Sequence, residues 1–311
     1  MYTNFHKMME DAYREHYAVG SFNWYHYETL KGIIEAGEET GRPVIASFGA
    51  KYLTNIDLDT AAALTKVLAD RSCGAVCLHL DHCKDKDAII RAIRAGFGSV
   101  MYDGSSLPFE QNLENTREIC EIAHACDVSV EAELGSLAAG AKSHEGSADD
   151  REVYTDPAMA AEFVRETKVD ALAVSIGTVH GMYKGTPNIR TDILEKINAA
   201  VGSPLVLHGG SGTPEDKLLA CISRGIAKIN VNTEISEYVM AHTKALLQEQ
   251  SPHLSVLALK QKEWVKEVVK KYIELFCNRA QSKTICPVYE YEYAKNFPLD
   301  EPAGSFVITA N

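Results

Sequence analysis

The stretch Leu78-His79-Leu80-Asp81-His82-Cys83 closes an apolar run that starts near Cys73 and predicts a short buried strand over 75–80. A carboxylate and an imidazole follow one another where that strand stops. At an ordinary strand end, two groups that need water or a partner would sit at the edge of the core. At the rim of a parallel barrel, where strand ends converge on one face, the same pair makes a site.

Working outward, the pattern on both sides of this stretch repeats a strand and helix rhythm. Short, continuously apolar segments at 18–22, 44–47, 75–80, 98–102, 128–133, 171–175, 205–207 and 226–231 predict strands. Amphipathic segments at 25–40, 58–71, 85–95, 108–126, 157–167, 191–200 and 214–224 predict the helices between them. Gly41-Arg42-Pro43 ends the first of these helices, and Pro108 opens the fourth. Strands without polar alternation are what parallel strands covered on both faces look like. The fold class is therefore α/β, a (β/α)8 barrel, closed by a helix over 234–248 and followed by a long helix over 254–276. The stretch 136–154 is too long and irregular for a simple connection and predicts a lid or binding loop. Residues 1–276 form the barrel and its C-terminal helices. The extension 277–311, with Tyr289-Glu290-Tyr291-Glu292-Tyr293, is either a strap over the barrel or a subunit contact.

Composition bounds the function. The 311 residues are 46% hydrophobic and carry a formal charge of -12, so a nucleic-acid or anionic-membrane surface, which needs a basic patch, is not expected. The N-terminal residues lack a basic then apolar segment, and no apolar run approaches the roughly 18–20 residues of a membrane span. A cytoplasmic location follows as the expectation. The eight cysteines, with no C-x-x-C pair, read as reduced core residues.

If the barrel is right, the residues just after each strand line one face. They include Asp81 and His82 after the third strand, the run from Gly177 through His180 and Gly181 to Lys184 after the sixth, His208-Gly209-Gly210-Ser211-Gly212 after the seventh, and Asn230, Asn232 and Thr233 at the end of the eighth. Three histidines on one rim form a recurring catalytic zinc set with an open fourth position. His79 shares the face of Asp81 and is read either as a support behind the metal-site residues or as a barrel-interior residue. Gly209 to Gly212, with Pro214 opening a helix, has the form of an anion-binding turn. Asn230, Asn232 and Thr233 add donors, and Lys184 supplies local positive charge.

On these motifs, together with Phe22-Asn23 and Glu131-Ala132-Glu133-Leu134-Gly135, the chain resembles the zinc-dependent class II ketose-bisphosphate aldolases over residues 1–276 or so, closer to the tagatose and fructose branch. The resemblance implies Zn2+ held by His82, His180 and His208, with Glu133 as an alternative ligand and Asp81 as the acid/base at the bond being broken. It places Gly181, Lys184, Gly209, Ser211, Asn230 and Thr233 around the phosphate and dihydroxyacetone part of a phosphorylated sugar, and Asn23 and Ser47 at other pocket walls. It also implies a monovalent cation, Na+ or K+, and a homodimer or homotetramer.

One departure matters. Sugar-bisphosphate members follow Glu-Leu-Gly with a Gly-Gly-x-Glu-Asp segment whose glutamate exchanges a proton on the reacting carbon; here Ala141 stands at that glutamate's position. Glu145 is the candidate replacement, with His144 as a second. His26 and Asn232 also depart from the usual pattern and point to a reshaped pocket. The leading expectation is a zinc aldolase acting on a ketose 1-phosphate or 1,6-bisphosphate, including a non-standard one. The rivals are a metal hydrolase, which the missing His-x-His after the first strand disfavours, and a non-catalytic partner subunit, which would have no reason to keep a metal site.

Overall fold

In the computed structural model, residues 1–142, 152–183, 185 and 187–277 are described. The chain begins with helix α1 (Phe5–Glu15), then β1 (Val19–Asn23), α2 (Tyr27–Thr40), β2 (Val44–Gly49) and a 3-10 turn (Ala50–Thr54). It continues through α3 (Leu58–Asp70), β3 (Val76–Cys83), α4 (Lys86–Ala95), β4 (Ser99–Tyr102), α5 (Phe109–His124), β5 (Ser129–Leu134) and the short β6 (Ala138–Ala139). After these come α6 (Pro157–Thr167), β7 (Ala171–Val174), β8 (Val179–His180), α7 (Thr191–Val201), β9 (Leu205–Leu207), α8 (Glu215–Ile222), β10 (Ile226–Val231), α9 (Thr233–Glu249) and α10 (Leu254–Phe276).

Eight strands close on themselves in the order β1-β10-β9-β7-β5-β4-β3-β2, every neighbouring pair parallel. This is the (β/α)8 barrel expected from the apolar runs. The outer faces of the strands pack under the helices through side chains such as Phe22, Leu78, Leu80, Val130, Leu172 and Leu207, all fully buried. The inner faces carry a gradient. Val19, Ile45, Cys77, Ala171, Val206 and Ala227 fill the lower interior, while His79, Ser99, Glu131 and Lys228, then Asn23, Asp81, Glu133 and Asn230, occupy the levels above.

Helix α1, absent from the expected elements, closes the lower end. Its Phe5, Met8, Met9 and Ala12 follow the i, i+3, i+4, i+7 spacing of a one-sided helix and pack into the apolar interior cluster. The Phe5 ring lies parallel to His79, with centroids 5.6 Å apart. Within the stretch 136–154, β6 pairs with β8 in a two-stranded parallel sheet on the upper rim, and residues 143–151 lie outside the described residues.

The seven cysteines among the described residues are unpaired, as expected, but Cys73 and Cys126 are exposed and not core residues. Both lie in the short connections after helices, at the outer ends of the segments that suggest burial. Among the described residues, no helix is long and apolar enough to cross a membrane.

Candidate active site

Strand β3 does not stop at Leu80; it continues through Cys83 with a bulge. Leu80 pairs with Val100 and Cys83 with Tyr102, so three steps on β3 match two on β4. His82 absorbs the extra residue in the left-handed region, at φ 48°. In a regular strand Asp81 and His82 would point to opposite faces; the bulge re-aims His82 so that both reach the barrel mouth.

His180 arrives on β8, between Gly177 (φ 107°) and Gly181 (φ 97°), and His208 directly follows β9. The three rings converge, with centroids 5.1 Å apart for His82 and His180, 4.6 Å for His82 and His208, and 5.9 Å for His180 and His208. One ring nitrogen from each lies within 4.8 Å of the others. His82 Nε2, His180 Nε2 and His208 Nδ1 are buried without a hydrogen-bond partner, as is Glu133 Oε2. That oxygen is 3.4 Å from His208 Nδ1 and 4.0 Å from His82 Nδ1, so Glu133 stands beside the triad.

The opposite nitrogens are taken. His82 Nδ1 lies 3.3 Å from Asp103 Oδ2, and His208 Nε2 lies 2.9 Å from Glu131 Oε1. A ring whose far nitrogen meets a carboxylate is fixed in tautomer and angle, the usual support of a metal-bound histidine. Sequence reasoning missed Asp103 and Glu131 in this role. Asp103 immediately follows β4, where the strand-end rule would have found it; Glu131 sits in the preceding inward position to Glu133.

The charges also fit a metal. The buried carboxylates among the described residues are Asp81, Asp103, Glu131 and Glu133, against the single ammonium of Lys228 and the imidazoles of the site. Buried carboxylates require compensation, and a divalent cation at the unsatisfied nitrogens would add to it. The histidines feel the same field. Burial opposes charge on His82, yet Asp81 and Asp103 hold it well above the ordinary imidazole pKa. His180 is pushed well below, by burial and then by His82 and His208.

Asp81 is fully buried and held by two amides: Asn23 Nδ2 donates to Oδ2 at 2.9 Å and Asn230 Nδ2 to Oδ1 at 3.2 Å. Burial raises its pKa, but His82 and Lys228 outweigh that and keep it below the ordinary carboxylate range. Ser47 pairs in register with Asn23 at the mouth of β2, and Ser47 Oγ and Asn23 Oδ1 are both buried without a partner.

The glycine turn adjoins the start of α9. Gly209 and Gly212 have φ 71°, and a Cβ on Gly209 would stand 2.2 Å from Val179 O. Part of the turn is already engaged, because Gly210 N donates to Asn230 O and Gly212 N to Glu234 Oε2. Ser211 Oγ accepts from Asn232 N and Glu234 N, both at 3.2 Å, which leaves its proton to donate elsewhere. Thr233 is buried in the first turn of α9. Asn232 Nδ2 donates to Tyr52 at 3.0 Å, and His26 caps α2; with Tyr25 and Asn55 they border a cleft of about 290 Å³ beside the mouth. Lys184, His144 and Glu145 lie outside the described residues.

The sequence profile of the class II fructose-bisphosphate aldolases matches residues 3–281. The chain belongs to that family. It is 36% identical over 280 residues to a sulfofructosephosphate aldolase of Alkalicoccus urumqiensis, covering 89% of this chain and 97% of that one. It is 37% identical over 266 residues to the protein YdjI of Escherichia coli K12, covering 86% and 94%. The crystal structure of the YdjI aldolase superposes with a TM-score of 0.80, covering 91% of this chain and all of that one at 34% identity. A putative fructose-1,6-bisphosphate aldolase structure from Coccidioides immitis gives 0.79 at 28% identity, covering 87% and 94%. The protein is thus an aldolase, a carbon-carbon lyase of a generally metal-dependent class.

Proposed function

We propose that this aldolase uses Zn2+ to cleave a phosphorylated ketose of the fructose or tagatose type reversibly, releasing dihydroxyacetone phosphate and an aldehyde. The observation that carries the reading is the meeting of three buried imidazoles, each with an unsatisfied nitrogen, and the amide-held carboxylate of Asp81 at one barrel mouth. His82, His180 and His208 would hold the ion, with Glu133 in reach. A bound Zn2+ supplies Lewis-acid stabilisation for the negative charge that develops on the ketone fragment.

The chain's own residues do the rest. Asp81 accepts the proton of the hydroxyl beside the breaking bond, a role that requires the ionised form its surroundings favour. Asn23 Oδ1 and Ser47 Oγ, lacking partners in the protein, meet substrate hydroxyls. The turn from Gly209 to Gly212, Ser211 and the first turn of α9 receive the phosphate, where a helix N-terminus favours negative charge. The sulfofructosephosphate aldolase relative brings sulfonated ketose phosphates in beside the fructose and tagatose 1,6-bisphosphates and ketose 1-phosphates.

The test is dihydroxyacetone phosphate release from this panel by the full-length chain, with and without a chelator, alongside Asp81→Asn. The reading expects release that chelation abolishes, and an Asp81→Asn variant that binds metal but cleaves at least ~10²-fold more slowly, the scale of a positioned acid/base. Release unaffected by chelation would overturn the metal mechanism, and a normal rate in Asp81→Asn would remove that residue from it.

A further inference from the structure

We propose that Lys228 is a positioning residue for Asp81, acting through the side-chain amide of Asn230. The proposal rests on the aldolase reading above. Lys228 is fully buried in the barrel, one level below the metal cluster, on the inward face it shares with Asn230 two residues later on β10. The chemistry above uses it only as a buried positive charge near Asp81, and none of its contacts has a role there.

An ammonium is retained in such a place only when its partners satisfy it. Lys228 Nζ lies 2.9 Å from Glu131 Oε2, which balances its charge, and donates to Asn230 Oδ1 at 2.6 Å. The second bond is the informative one. A primary amide has an accepting end and a donating end, whereas an ammonium only donates. With Oδ1 fixed on Lys228, the amide must present Nδ2 upward, where it donates to Asp81 Oδ1 at 3.2 Å. Turning the amide over would set NH2 against the ammonium and oxygen against the carboxylate, two repulsive contacts at once. The Asn23 amide, which holds the other Asp81 oxygen, has no comparable lock, since its Oδ1 has no partner in the protein. Lys228 therefore fixes the donor that sets the plane of the proton acceptor, without touching the reacting atoms.

Lys228→Met alone would leave Glu131 buried and uncompensated and can fail to fold. The experiment therefore compares four metal-loaded, full-length proteins: wild type, the charge-balanced Lys228→Met/Glu131→Gln, Asn230→Ala, and the triple variant. For each, kcat and KM are measured on fructose 1,6-bisphosphate, tagatose 1,6-bisphosphate and fructose 1-phosphate, and zinc affinity by chelator competition. The expected result for the charge-balanced pair is a kcat lower by about 10- to 100-fold, the scale for residues that orient a reacting group from behind. Because Glu131 also holds His208, zinc affinity should fall in this pair as well, so kcat is read at saturating zinc, where the loss should persist while KM stays within about 2-fold.

Asn230→Ala should show a comparable fall, and the triple variant should be no slower than Asn230→Ala, since removing Lys228 and Glu131 together leaves the net charge near Asp81 unchanged and the positioning effect runs through that amide. Losses that multiply in the triple variant, a wild-type kcat in the charge-balanced pair, or a kcat loss accounted for by lost zinc would each overturn the proposal. Wild-type protein that binds zinc but cleaves none of the panel is a separate failure, of the aldolase reading, and takes the proposal with it.

Discussion

Replacing Gly209 with alanine should damage the metal site without touching a ligand. Gly209 holds φ 71°, where an L side chain costs ~1–2 kcal/mol. The added Cβ would meet Val179 O at 2.2 Å, Val179 C at 2.9 Å and Val179 N at 3.1 Å, all backbone atoms with no rotamer to yield. Restoring an ordinary carbon-oxygen contact of about 3.3 Å requires a displacement of roughly 1 Å. The residue pushed is the one before His180, on a two-residue strand that pairs with β6. Metal ligands tolerate shifts of about 0.2 Å, so zinc affinity should fall and cleavage should drop by ~10²-fold. Gly202→Ala is the control, because Gly202 has φ 63° with nothing within 4 Å of its Cβ. It should carry the conformational cost, a Tm a few degrees lower, with normal zinc and rate. The assay pairs chelator-competition zinc affinity with retro-aldol rate for both variants. Wild-type affinity and rate in Gly209→Ala would refute the reasoning.

Two further outcomes follow from other contacts. Asp103→Asn removes the carboxylate behind His82 and should weaken zinc binding by about 10- to 100-fold with little change in Tm; unchanged affinity would show that Asp103 does not orient the ligand. Phe5→Ala empties a fully buried ring from the lower end of the barrel and should cost about 3–5 kcal/mol in denaturant unfolding, while a cost below about 1 kcal/mol would mean that α1 is not a structural plug.

The barrel was legible because parallel strands covered on both faces leave unbroken apolar runs, and the site because its histidines stand at the ends of those runs. What escaped were features that break a local rule. The β3 run reads as ending at Leu80 since polar residues follow, yet the strand continues, and the positive φ that turns His82 inward leaves no mark in residue type. Lys228 and Glu131 look like interruptions of apolar strands; their spacing two residues from Asn230 and Glu133 is the trace of an inward polar face. Helix α1 carried its signal in Phe5, Met8, Met9 and Ala12, diluted by the polar residues between them. The loop carboxylate sought at Glu145 and the cation at Lys184 fall outside the described residues.

The central claim is that His82, His180 and His208 together hold the ion on which cleavage depends. Its most direct test is zinc content and affinity, measured beside dihydroxyacetone phosphate release, for the wild type and His208→Ala. The account predicts about one zinc per wild-type chain, chelator-sensitive release, and loss of both in His208→Ala, where one of three protein ligands is gone. A His208→Ala protein that binds no zinc yet releases dihydroxyacetone phosphate at the wild-type rate would contradict it.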